Sequence, residues 1–168
     1  VMVARRTRKP AGINRQRLTG YGDPAFSSFL REANLAGRGL TRDAYEGRPV
    51  IGIADSSIDA QSCHASIPQL VAAVERGVLQ SGGMPLRFPT IAVPEVYTYP
   101  TSMYLRNLMS IDTEEMLSSL PIDGAVLFCG CDKTVPAQLM AAMSAELPIV
   151  SVPVGPTASG QFRDETLG

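Results

Sequence analysis

The sequence has few of the residues on which many metal and nucleophile chemistries depend. Its 168 residues include one histidine, three cysteines and no tryptophan. A single histidine, His64, excludes a site built from several histidines, and the chain has no GxSxG motif to support a serine nucleophile. It also has no Walker motif and no GxGxxG motif, so nucleotide binding finds no specific support.

The cysteines also exclude some classes of site. Cys129 and Cys131 are separated by one residue, and this spacing is not the CxxC of thioredoxin-like or zinc-ribbon sites. An odd number of cysteines without a secretory signal argues against a disulfide framework. Reduced thiols or metal ligands are the alternatives that remain. In an extended strand the two thiols would share a face, but the chain is expected to turn at Gly130, so Cys131 is the predicted ligand and Cys129 a core residue.

Charge and apolar content indicate a protein without a nucleic-acid or membrane partner. The net charge is −1, and no apolar run is long enough to span a bilayer. The first 22 residues carry six basic residues and no acid, which suits either an arm that touches phosphate or, as we favour, a solvated terminus. We therefore predict a soluble, cytoplasmic protein. Residues 1–45 would form a basic arm and a weakly helical lead-in, and residues 46–168 an α/β domain.

Short apolar runs alternate with amphipathic segments from residue 48 onward. The runs at 48–55, 86–93, 124–130 and 148–155 predict strands, and 66–83, 101–120 and 134–146 predict helices. Pro89 favours an edge or irregular position, and Asp112 with Glu115 resembles a capping box at a helix start. This order predicts an α/β fold with a mostly parallel sheet covered by helices.

Chemically capable side chains follow the predicted strands, where ligands bind in open α/β sheets. They are the segment from Asp55 to Cys63, then Glu95, then the adjacent Cys131, Asp132 and Lys133. Thiolates suit iron–sulfur clusters and carboxylates suit a hard ion such as Mg²⁺, so one turn can serve two different metals. The alternatives are a buried structural thiol, an Asp–Lys ion pair or a simple surface turn, and a solvated Glu95.

Four stretches carry a resemblance to a known family. They are RPVIGIADSSIDAQSCHAS, GGMPLRFPTIAVPE, TSMYLRNLMS and GAVLFCGCDKTVPAQLMAAMSAELPIVSVPVGP. They resemble the N-terminal part of the dihydroxy-acid dehydratase / phosphogluconate dehydratase family, and the resemblance runs from about residue 46 to 160. PTSMYLRNL is similar to the segment found in its sugar-acid, arabinonate-type members.

The resemblance implies a set of cofactors and site residues. Cys63 and Cys131 match the first two of three cysteine ligands to a [2Fe–2S] cluster. Glu95 and Asp132 match Mg²⁺ ligands, and Lys133 matches a catalytic lysine that is carbamylated and also binds Mg²⁺. The implied activity is a hydro-lyase that dehydrates a 2,3-dihydroxy sugar acid to a 2-keto acid, in a homo-oligomer. His64 stands where asparagine is usual.

The family's third cluster cysteine, last Mg²⁺ ligand and serine base lie downstream of residue 168. We therefore expect the incomplete N-terminal domain of a larger dehydratase fold. One alternative is a catalytically inactive truncated relative that acts as a binding or partner-interaction module. Another is an unrelated α/β module in which Cys131, Asp132 and Lys133 form a surface turn.

Overall fold

A computed structural model describes residues 23–167, in which helices and strands alternate as far as Pro153 and two short strands follow. In chain order the elements are α1 (Pro24–Gly37), β1 (Val50–Asp55), α2 (Ile67–Gln80), β2 (Met84–Pro89), α3 (Arg106–Ser119), β3 (Gly124–Cys129), α4 (Thr134–Ser144), β4 (Ile149–Pro153), β5 (Gly160–Phe162) and β6 (Glu165–Leu167). The predicted basic segment at 1–22 lies outside the described residues. Between residues 23 and 167, no helix has the length and apolarity needed to cross a bilayer.

The first four strands form one parallel sheet with the order β2-β1-β3-β4. The predicted α/β fold with a parallel sheet is confirmed, and β2, which contains Pro89, is an edge strand as expected. β2 begins and ends earlier than the predicted 86–93, because Met84 pairs with Val50 and the ladder closes where Thr90 N donates to Asp55 O. Proline is tolerated at such an edge because one side of the strand needs no partner.

Helices cover both faces of the sheet. On one face Ile53 and Phe128 pack against Ile67 and Val71 of α2, and all four are fully buried. On the other face the buried side chains come from β1, β3, α3 and α4, among them Val50, Ala54, Leu127, Leu117 and Ala141. Burial of aliphatic side chains on both faces explains why β1 and β3 read as continuous apolar runs.

Two details differ from the sequence prediction. Asp112 does not begin a helix, because α3 runs from Arg106 to Ser119 and a 3₁₀ turn over Ser102–Leu105 precedes it. The Asp112 carboxylate instead accepts a hydrogen bond from Ile91 N at 2.8 Å and so holds the segment after β2. The antiparallel pair β5–β6, with Arg163 at φ 57°, was not predicted.

The direction in which strands are added to the sheet reverses at β1. This reversal creates a crevice at the carboxyl ends of the strands. From β1 the chain moves outward to β2 and then returns across β1 to β3, with α2 on one face and α3 and α4 on the other. The carboxyl ends of β1 and β3 therefore diverge into helices on opposite faces, and such a switch point is where open α/β sheets bind ligands.

Candidate metal centre

All five site residues predicted from the sequence line one open cleft at this switch point. The cleft is open to solvent and has a cavity volume of about 170 Å³. Cys63 comes from the 3₁₀ turn after β1, Glu95 from the 3₁₀ turn after β2, and Cys131, Asp132 and Lys133 from the turn between β3 and α4. Asp55 does not line this cleft, since its carboxylate is buried and paired with Arg87.

One side of the cleft collects sulfur and nitrogen donors. The Sγ atoms of Cys63 and Cys131 and a ring nitrogen of His64 lie within 4.8 Å of one another. Gln61 Nε2 donates to Cys63 Sγ at 3.1 Å, and His64 is only 1 % exposed. Cys129 is fully buried in the sheet beside Ser151, so the prediction that it is a core residue is confirmed.

The turn that carries Cys131 is fixed by Thr134, the first residue of α4. The Thr134 hydroxyl accepts from Gly130 N and Cys131 N, both at 3.1 Å, and Thr134 N donates to Cys131 Sγ at 3.4 Å. The free N–H groups at a helix start favour negative charge, so this placement stabilises a thiolate.

The thiols of Cys129 and Cys131 differ in pKa. Burial raises the pKa of the Cys131 thiol, but hydrogen bonds with His64 and with the side chain and backbone of Thr134 outweigh it and lower that pKa to about 6. Burial raises the pKa of the Cys129 thiol, where only Ser151 opposes it. The thiolate, which is the form that binds metal, is therefore favoured at Cys131.

The other side of the cleft collects oxygen donors around Lys133. Lys133 Nζ lies 2.9 Å from Asp132 Oδ1 and 3.2 Å from Glu95 Oε2, and its side chain is only 10 % exposed. Glu95 Oε2 also accepts from Ser102 Oγ at 2.5 Å and Ser102 N at 2.9 Å. The Asp–Lys ion pair of that alternative is therefore present, and it lies in the cleft with Lys133 buried and also paired with Glu95.

Hydrogen bonds favour the charged forms of Glu95 and Lys133. Hydrogen bonds from Ser102 and Thr101 lower the pKa of Glu95 to about 2. The hydrogen bond to Asp132, with help from Glu95, raises the pKa of Lys133. An ammonium group thus lies where two carboxylates converge, a position that suits a cation.

Three residues of the site were not assigned roles from the sequence. Ser102 is hydrogen-bonded to Glu95, and Thr134 is hydrogen-bonded to Cys131. No sequence motif predicts these side-chain contacts. His64 was noted only as a departure from the usual asparagine. Its position next to Cys63 was the one available signal, since neighbours in a 3₁₀ turn lie close together.

Comparison with known proteins agrees with this geometry. A family model described as dihydroxy-acid/6-phosphogluconate dehydratase N-terminal matches residues 48–167. The chain belongs to this dehydratase family. The resemblance stated from the motifs is therefore confirmed, and an unrelated α/β module is excluded.

Named relatives fall into two groups of dehydratase. The chain is 43 % identical over 148 residues to a 6-deoxy-6-sulfo-D-gluconate dehydratase of Pseudomonas putida. It is 38 % identical over 148 residues to an L-arabinonate dehydratase of Rhizobium leguminosarum bv. trifolii; both matches cover 88 % of this chain and 26 % of the relative. A dihydroxy-acid dehydratase of Clostridium beijerinckii is 36 % identical over 132 residues, 76 % of this chain and 24 % of the relative. The chain thus spans about a quarter of the length of these relatives.

Proposed function

We propose that this chain forms the N-terminal part of a hydro-lyase that dehydrates a sugar acid with vicinal hydroxyl groups at C2 and C3 to a 2-keto acid. In this reaction the C2–H and C3–O bonds break, water leaves, and the resulting enol becomes the ketone. The observation that carries the proposal is the single cleft that places two cysteines beside an Asp–Lys–Glu trio. The sugar-acid substrate class rests on the relatives named above.

Cys63 and Cys131 would hold a [2Fe–2S] cluster, together with a cysteine from the rest of the protein. The donor set fits, because two thiols face one space and the structure lowers the pKa of one of them. The hydrogen bonds from Gln61 and Thr134 to the sulfur atoms suit thiolates, which accept but do not donate.

Glu95, Asp132 and Lys133 would hold Mg²⁺. Carboxylate oxygens are the ligands that this ion prefers, and the ammonium group of Lys133 already marks the point where the two carboxylates meet. An ammonium cannot bind a metal ion, but addition of CO₂ to the neutral amine, with loss of one proton, gives an anionic carbamate that can. Asp132 and Glu95 favour the ammonium form of Lys133. We therefore expect Lys133 to be carbamylated only when Mg²⁺ replaces the ammonium group as the positive charge beside the two carboxylates.

When bound, the two metal centres supply Lewis acidity that acidifies the C2 proton and helps the C3 hydroxyl to leave. The residues of this chain bind and orient these centres. Ser102 orients the Glu95 carboxylate and Thr134 orients the turn that carries Cys131, so each half of the cleft has a hydroxyl that positions its ligand.

Iron and acid-labile sulfide would be measured in protein made from the whole gene and purified without oxygen. We expect about two of each per chain, and loss of both in Cys63→Ala and Cys131→Ala. Cys129→Ala is the matched control, because Cys129 lies outside the cleft and should retain the cluster.

Formation of 2-keto acid from a panel of sugar acids, with and without added Mg²⁺, would then test the reaction. Equal iron and sulfide content in all three variants, or no keto acid from any sugar acid by cluster-containing protein with Mg²⁺, would overturn the proposal.

A further inference from the structure

The wall of the cleft is chemically uneven on either side of its metal-binding residues. Next to Glu95 the other lining side chains are apolar, namely Val93, Pro94 and Val96. Next to Cys63 they are polar and uncharged, namely Gln61, Ser62 and Thr157. A few polar groups in a cleft usually fix the orientation of a ligand, so the corner beside Cys63 can recognise a part of the substrate away from the charged trio.

Two hydroxyl groups meet in this corner. Ser62 Oγ donates to Thr157 Oγ1 at 3.3 Å, although the two residues are 95 positions apart in the chain. Both side chains are exposed and line the cleft. Because a hydroxyl group has one proton and two lone pairs, Thr157 can still donate its own proton and Ser62 can still accept one. The pair thus offers a donor beside an acceptor, which is the complement of a third hydroxyl group.

The main chain determines where Thr157 lies. Val154 N donates to the carbonyl oxygen of Cys129 at 2.7 Å, which brings the loop after β4 against the end of β3. Gly155 then has φ 105°, a conformation that side chains rarely adopt, and a Cβ there would lie 3.8 Å from Cys63 Cβ. The loop therefore passes beside the turn that carries Cys63, and the hydroxyl of Thr157 is held on the thiol side of the cleft.

The charges of the cleft favour a neutral group in this corner. Among the described residues that line the cleft, Lys133 is the one cation, and both Asp132 and Glu95 pair with it. An anionic group would meet no free cation there, whereas a hydroxyl group needs only the hydrogen bonds of Ser62 and Thr157.

We propose that Ser62 and Thr157 form a specificity site for the hydroxyl group at C4 of the substrate. This inference rests on the proposed function, with the carboxylate and C2 of the sugar acid on the oxygen side of the cleft and C3 facing the thiols. A substrate in this direction carries C4 past the thiols to the hydroxyl pair. The site therefore favours sugar acids over dihydroxy acids in which C4 is a methyl group.

Two keto acids of equal length isolate the contribution of this hydroxyl. They are 4-hydroxy-2-oxobutanoate and 2-oxobutanoate, the dehydration products of the trihydroxy and dihydroxy acids with four carbons. Calorimetry would measure their binding to protein made from the whole gene and purified without oxygen, with Mg²⁺ added. We expect the 4-hydroxy acid to bind about 2- to 12-fold more tightly, the ratio that corresponds to one neutral hydrogen bond. Equal binding of the two acids, or binding of neither, would overturn the inference.

Variants identify the source of the ratio. Thr157→Val and Ser62→Ala should each lower it towards 1 by weakening only the binding of the 4-hydroxy acid, whereas Thr157→Ser keeps the hydroxyl and should keep the ratio. Thr166→Val is the matched control, because Thr166 is an exposed threonine of β6 outside the cleft. An unchanged ratio in both Thr157→Val and Ser62→Ala, or an equal loss of affinity for the two acids, would overturn the inference.

The two proposals fail in different experiments. Formation of keto acid from sugar acids, without a difference in binding between the two ligands, would leave the dehydratase proposal standing and remove Ser62 and Thr157 from the specificity site. A ratio that disappears in Thr157→Val, in a protein that forms no keto acid from any sugar acid, would support the hydroxyl site and overturn the dehydratase.

Discussion

Replacement of Gly130 by alanine should destabilise the protein, because the site has no room for one methyl group. An ideal Cβ at this position would overlap His64 Cδ2 and would lie 2.9 Å from the carbonyl oxygen of Cys63. Neither neighbour moves easily, since the His64 ring is buried and the other atom belongs to the main chain. Overpacking of this kind costs about 1–3 kcal/mol of the free energy of unfolding.

A chemically identical change elsewhere provides the control. Gly77 lies within α2, and a Cβ there would meet no atom within 4 Å. Gly77→Ala should therefore stabilise the protein by about 0.4–1 kcal/mol, because alanine loses less backbone entropy on folding. Urea unfolding of the two variants and the unmodified chain, monitored by circular dichroism, should give shifts of opposite sign.

The double variant Gly130→Ala with His64→Ala identifies the source of the cost. Removal of the ring eliminates the closest contact but leaves the Cys63 carbonyl, so the penalty of Gly130→Ala should become smaller without disappearing. Gly130→Ala as stable as the unmodified chain would contradict the packing described here. An equal penalty with and without His64 would show that the ring is not the obstacle.

Three further predictions test the two halves of the cleft. In metal-free protein, the rate of alkylation of Cys131 should rise through pH 6 and then level off. The reason is that a thiol of pKa about 6 is about 90 % thiolate at pH 7, whereas one of pKa 9.0 is only about 1 % thiolate. Peptide mapping that shows a continued rise in this rate to pH 9 would contradict the prediction. Ser102→Ala removes a hydrogen bond to Glu95 and should weaken Mg²⁺ binding about 10- to 100-fold in calorimetry, whereas the exposed Ser144→Ala should not. Thr134→Val leaves two main-chain N–H groups at the turn without their acceptor and should cost about 1–3 kcal/mol in urea unfolding, with Thr134→Ser nearly neutral.

The sheet and its helices were predictable because they depend on local pattern. β1 and β3 are continuous apolar runs because their side chains are buried on both faces of the sheet. The spacing of Ile67 and Val71 likewise reflects the buried face of α2. The motif residues were identified as ligands because of a family resemblance. That Cys63 and Cys131 converge follows from the reversal in strand order, which no local pattern encodes.

The errors arose where a long-range contact overrides a local signal. Asp112 and Glu115 have the spacing of a capping box, yet Asp112 lies inside α3. The helix begins earlier, at Arg106, directly after the 3₁₀ turn over Ser102–Leu105. Its carboxylate serves Ile91, 21 residues away along the chain. Likewise, Ser102 becomes a partner of Glu95 only when the two 3₁₀ turns after β2 fold against each other.

The turn between β3 and α4 places a soft and a hard donor in one short segment. Cys131 contacts Thr134 and the His64 side of the cleft, whereas the next residue, Asp132, contacts Lys133 and the Glu95 side. Because the two donor residues are adjacent in the chain, their Cα atoms lie about 3.8 Å apart, which limits how far the soft and the hard donor can separate. Only the direction of the turn must then be fixed, and the Thr134 hydroxyl does this by holding two consecutive N–H groups. The proposed dehydration activates one group at C2 and another at C3, so under that proposal this turn positions the donors of both centres.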